Sequence, residues 1–183
     1  MNNGFITYIR NWIRNEDAIA ASEFVLIFPV LFFMLIGIWD LGNGILTGQK
    51  LIAASQMVAD LVSRNKNMTD DQLAETYIAG QLAMEPYDGS KLVIYIMSIS
   101  YDDDGPTEVW HKLYPASAPE DPDVLTTMLD KAKGLAPSGG GTLAVNALYR
   151  YTPDFGQYVV GTIDMDEMAF SRGRRSSIVT NNN

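Results

Sequence analysis

The chain has 183 residues, a formal net charge of −9, no cysteine and one histidine. Nucleic-acid binding rests on clustered Lys and Arg, so this balance argues against a phosphate-backbone surface; the one basic cluster, Arg172, Arg174 and Arg175, reads as a solvated strand end. Without thiols there is no disulfide, thiolate metal site or Cys nucleophile, and His111 alone makes a His-based zinc centre or a Ser-His-Asp triad hard to build.

The first predicted element is a membrane helix. From Ala18 to Trp39 the only charge is Glu23, and a spanning helix needs roughly 20 mostly apolar residues. A secretory signal has a shorter apolar core and ends at a small-residue cleavage site. Here no A-x-A follows the core, and Trp39 and Asp40 stand where an interface is expected, so the segment reads as a retained anchor. Arg10 and Arg14 precede it, and Lys50 is the only cation in the next 20 residues or so, which favours the N-terminus inside and the C-terminal domain outside. Pro29 is tolerable in a membrane helix as a kink.

Beyond the apolar core, Gly44 and Gly48 form a G-x-x-x-G, read either as close packing against another subunit or as a flexible joint outside the membrane. Apolar residues then recur with helical spacing at Ile45, Leu51, Ile52, Met57, Val58, Leu61 and Val62. The helix is predicted to continue to about Ser63 as a rod on the order of 70 Å, its amphipathic second half packing onto a soluble domain.

Glu23 raises a separate question. A charged acidic residue costs about 2.5–3.5 kcal/mol at the centre of a membrane helix and less near the interface. Either Glu23 marks the cytoplasmic edge of the span, or it has a cationic partner. One candidate partner is a new α-amino group: a cut between Ala18 and Ile19 would give Ile19 an ammonium and make Glu23 the fifth residue of the product. Each group would then lower the other's desolvation cost.

The soluble part opens with a helix over 69–84, with Thr69 as N-cap, ended by Pro86 and Gly89. A strand is predicted over 91–101, with Val93, Tyr95, Met97, Ile99 and Tyr101 on one side and Leu92, Ile94 and Ile96 on the other. DDDGP turns the chain into a second strand over 107–114. After an acidic, proline-rich loop, Pro122 starts a short helix ended by Gly134. SGGG at 138–141 reads as a flexible connection, strands follow over 143–151 and 162–171, and the closing SSIVTNNN is expected to fray. The fold class is α+β: a long N-terminal transmembrane helix continuing into a small antiparallel sheet packed with one or two helices.

Other groupings carry little chemistry. Asp102, Asp103 and Asp104 lack EF-hand spacing and read as a solvated turn. Residues 138–142 lack the lysine of a phosphate loop. Asp164 and Asp166 share the solvent face of one strand, near Glu167, and His111 is a solvent-facing or half-buried strand position. No catalytic residue, cofactor or metal is expected.

A short basic-flanked leader, a cut, four small or apolar residues, then Glu-Phe and a hydrophobic helix: this arrangement resembles type IV prepilins. In detail it looks like the TadE-like pseudopilins of the tight-adherence (Tad) pilus. The residues that carry the resemblance are Ala18, IAAS, Glu23-Phe24, Pro29 and Gly37-Ile38-Trp39-Asp40-Leu41-Gly42. AASQMVADLVSRNKNMTDDQL, SISYDDDGPTEVWHKLY and YRYTPDFG with TIDMDEMAFSRGRR extend it over most of the chain. The family has glycine before the cut where this chain has Ala18; uncut, the protein would remain an inner-membrane anchor.

The resemblance implies a non-enzymatic assembly subunit. It divides the chain into a leader (1–18), a transmembrane and extended helix (19–63) and a soluble head (64–183). The head lies on the periplasmic side, with possible incorporation in the pilus. Implied partners are the membrane, other pilus or pseudopilus subunits, the inner-membrane assembly platform and a prepilin-type peptidase, with no nucleic acid. Two other classes stay open: a sensory or ligand-binding module on a single-pass anchor, and a membrane-tethered hydrolase, which the scarcity of His and Cys disfavours.

Overall fold

The structure, a computed structural model, describes residues 16–158, 161–176 and 178–181, together with Thr7 and Arg10. Most of the expected leader, Arg14 included, therefore lies outside the described residues. Helix α1, Glu16–Ser63, runs 48 residues without a break, Pro29 included. There follow β1 (Asn67–Met68), α2 (Asp70–Ala83), β2 (Leu92–Asp102), β3 (Gly105–Tyr114), α3 (Pro122–Ala132), β4 (Gly141–Tyr151), β5 (Ile163–Ser171) and β6 (Thr180–Asn181). The class is α+β, as expected.

Four strands form an antiparallel sheet in the order β3-β2-β4-β5. The central strands β2 and β4 bury side chains on both faces, which is why both read as nearly continuous apolar runs. One face carries Leu92, Ile94, Ile96, Leu143, Val145 and Ala147 against α1 and α2. The other carries Tyr95, Met97, Ile99, Tyr101 and Ala144 against Met128 and Ala132 of α3. The alternation along β2 is the one its sequence predicts.

Local rules account for the helix ends. Thr69 caps α2 in a full capping box, its hydroxyl accepting from the Gln72 N–H while the Gln72 side chain accepts from the Thr69 N–H. Asp121 caps α3, with Pro122 at its first position. Gly80 sits where α2 crosses the core: a Cβ there would lie 3.0 Å from both Val58 and Ile94.

The structure corrects three expectations. SGGG is pinned, not flexible: the Gly139 N–H donates to the Tyr101 carbonyl at 2.8 Å, the Tyr101 N–H donates to Gly140, and Gly141 already belongs to β4. The tail is not frayed as far as it is described. Val179 is buried, its carbonyl accepts from the Ser98 hydroxyl and the Trp110 indole, both at 2.8 Å, and Thr180–Asn181 pairs in parallel with Asn67–Met68. The buried face of α1 also differs. Leu51, Val58 and Val62 are buried as expected, but Ile45, Ile52 and Met57 are exposed. The face that meets the head is Asp40, Thr47, Leu51, Ala54, Ser55, Val58, Ala59, Val62 and Ser63. Its hydroxyls donate back to the helix's own carbonyls, Thr47 to Asn43 and Ser55 to Ile52, so they are buried without loss of a partner.

A candidate anchoring and assembly site

The N-terminal half of α1 stands clear of the head. Glu23 is exposed, and so is nearly every side chain from Phe24 to Trp39. Phe24, Phe28 and Phe32 stack along one side at centroid spacings of 5.6 and 5.8 Å, the i, i+4 repeat of a helix surface. An exposed apolar cylinder of this length is unstable in water, and the helix is long and apolar enough to cross a membrane. Ser22 returns its hydroxyl to the Ile19 carbonyl at 2.7 Å, leaving Glu23 as the polar group at the mouth of the cylinder. The Ala18–Ile19 bond lies in the first turn of α1.

At the other end of the cylinder the head grips the helix. Asp40 is 8% exposed, and its carboxylate accepts the backbone N–H groups of Phe155 and Gly156, the former at 3.2 Å. The Asp40 carbonyl accepts from the Tyr151 hydroxyl at 3.1 Å. One turn on, Gly44 lies under the Tyr151 ring, where a Cβ would come within 3.4 Å. A Cβ at Gly156 would fall 2.9 Å from the Asp40 carboxylate, so this close approach needs glycine. Burial, and after it the nearby charges of Asp40 and Asp154, pushes the Tyr151 phenol above its ordinary pKa, which keeps it protonated and donating.

The G-x-x-x-G is thus divided. Gly44 serves packing within this chain, while a Cβ at Gly48 would meet nothing within 4 Å. The helix continues without a break through both glycines.

The partners of Asp40 lie 111 to 116 residues away. The segments Gly37–Gly42 and YRYTPDFG are both conspicuous in the sequence, but only the fold brings them together. An acidic residue ending an apolar run and a P-D-F-G turn were the available signals, and nothing in a single sequence pairs them.

The remaining candidates serve local structure. Asp102 accepts the Asp104 N–H within the β2–β3 turn, and among the described residues no group of three His, Asp or Glu side chains is arranged to hold a metal. Asp164 pairs with Arg150 at 2.7 Å on the exposed end of the sheet, beside Asp166. His111 is half-buried on β3, its Nδ1 2.6 Å from Glu108 and its Nε2 3.3 Å from Glu120. Arg172 donates to the Leu135 carbonyl at 2.6 Å, and Arg174 pairs with Asp60 while its N–H caps the last turn of α1 at the Ser63 carbonyl, 2.8 Å away.

Residues 18–60 match the family described as TadE-like protein. The match starts at Ala18, covers the exposed apolar cylinder and Asp40, and runs into the half of α1 that packs one face against the head. No curated protein and no solved structure matches the chain.

Proposed function

We propose that this chain, with the TadE-like segment 18–60 as its anchor, is a structural subunit, a pseudopilin, in the biogenesis of a Tad-type pilus. The observation that carries the reading is the exposed apolar cylinder Phe24–Trp39 inside the family-matched segment, with Glu23 at its mouth and a folded head at its far end. Segment 1–18 acts as the leader, 19–63 as the membrane and stalk helix, and 64–183 as the head on the periplasmic side of the inner membrane. The protein works by binding, through the membrane, other pilus or pseudopilus subunits and the assembly platform. It carries out no chemistry of its own.

In this reading a prepilin-type peptidase cuts between Ala18 and Ile19. The new ammonium of Ile19 then pairs with Glu23, one helical turn along, so neither group enters the hydrocarbon alone. Mass spectrometry of the membrane-extracted protein is expected to find a mature chain beginning at Ile19. A chain starting at Met1 in cells that assemble the pilus would refute the processed subunit. Glu23→Gln is expected to leave the head folded, because Glu23 touches none of it, and to reduce pilus assembly. Normal assembly in that variant would make Glu23 an edge residue only.

A further inference from the structure

The head reaches the helix at the level where the apolar cylinder ends, through the loop segment 152–158. Phe155 and Gly156 bind Asp40 by their backbone N–H groups, and Asp40 follows Trp39 directly. Those contacts use the backbone of the loop and leave its large side chains unused. Phe155 is 57% exposed and Tyr158 90% exposed, and Ile163 at the start of β5 is exposed as well. From Phe155 to Ile163 the sequence reads FGQYVVGTI, nine residues without a charge in a chain whose net charge is −9. Trp39, the residue before Asp40, is 59% exposed.

We propose that this loop is a second membrane contact. Phe155 and Tyr158 sit in the outer interface of the bilayer next to Trp39, so the head rests on the lipid surface as well as hanging from its helix. Three observations select lipid as the occupant. The patch continues the surface of the membrane helix, since its backbone is hydrogen-bonded to the residue after Trp39. Its exposed large residues, Trp, Tyr and Phe, include the two types enriched at the headgroup level. It has no Lys or Arg, so the attraction is apolar and does not call for anionic lipid. Asp154, exposed at the edge of the loop, stays in the hydrated headgroup layer. The proposal rests on the reading of α1 as the span.

The chain has no cysteine, so any introduced thiol is unique. Tyr158→Cys, Leu35→Cys and Asp103→Cys place one environment-sensitive fluorophore each in the loop, in the span and on the β2–β3 turn. That turn adjoins Gly141, at the end of β4 opposite Tyr151. All three side chains are exposed, so the labels displace no packing. The full chain is reconstituted in phosphatidylcholine vesicles containing nitroxide-labelled phosphatidylcholine. The expected result is blue-shifted, nitroxide-quenched emission at 35 and 158 and unquenched, water-like emission at 103. Quenching at 35 with none at 158 would overturn the loop contact and leave the span intact. A blue shift at 158 without lipid quenching would also overturn it, because another protein surface, such as a second copy, would then cover the loop. No quenching at 35 would refute the span and the loop contact with it.

Discussion

Asp40 is a carboxylate removed from water, and it persists there because two backbone N–H groups point at it. Removing the acceptor strands both donors in a place water reaches poorly. A buried donor left unpaired costs about 1–3 kcal/mol. Asp40→Ala is therefore expected to destabilise the head by about that amount, seen as a lower urea midpoint and as faster amide exchange at Phe155 and Gly156. Unchanged exchange at those two amides would show that the junction does not depend on the carboxylate. Gly80 sets a finer balance. Alanine in a helix interior is favoured over glycine by about 0.8–1 kcal/mol, but here the new methyl meets Val58 and Ile94 at 3.0 Å. Gly80→Ala should be close to neutral, whereas Gly80→Val adds bulk the crossing cannot absorb and should cost about 1–3 kcal/mol, read by the same denaturant titration.

At the scale of the element, α1 is one helix with two surfaces suited to different media. Its apolar cylinder faces outward all round, and its C-terminal half turns one narrow face to the head. Apolar counting identified the helix and its length but chose that face only in part. Ile45, Ile52 and Met57 have the right character and point the wrong way, while Thr47, Ala54, Ser55 and Ala59 join Leu51, Val58 and Val62 in the packing. Small side chains let the helix lie close to the sheet, and their hydroxyls are satisfied within the helix, so hydropathy is a poor guide to which side is buried. A pair of variants tests the reassigned face. Leu51→Ala should cost about 2–5 kcal/mol and Ile45→Ala less than about 0.5, compared by thermal or urea unfolding of the head. Equal losses would put Ile45 in the core. Elsewhere the elements were legible where the signal is local: the capping box at Thr69, proline at the first turn of α3, the alternation along β2. They were illegible where the partner is distant, as at 138–141, where glycines suggesting flexibility are held by Tyr101.

At the scale of the whole molecule, the tail closes the fold. Asp70 at the start of α2 accepts from Lys112 on β3 at 2.8 Å and from Asn181 on β6 at 3.0 Å. The Lys112 bond, then the Asn181 bond, hold its carboxyl below the ordinary value of 3.8. A depressed pKa means the contribution is present above that value and is lost as pH falls through the lower folded value. Acidification below pH 3.8 is thus expected to loosen the β1–β6 pairing, observable as faster amide exchange at Thr180 and a shift of the Asn181 side-chain amide. Asp70→Asn should show the loosened signals already at neutral pH, with the acid step gone. The sequence betrayed none of this, because two residues pairing with two others across more than a hundred positions leave no periodic trace. The closure also bears on the order in which the fold can be completed. Val179, Thr180 and Asn181 complete the pole where α1 ends, and they are synthesised last of all the residues that build it. The four-stranded sheet, complete by Ser171, can pair before them, but this pole stays open until residue 181 is in place. The order of the chain thus makes Val179–Asn181 a latch: a head lacking them would keep its four strands but leave Ser98, Trp110 and β1 without the partners that close this end.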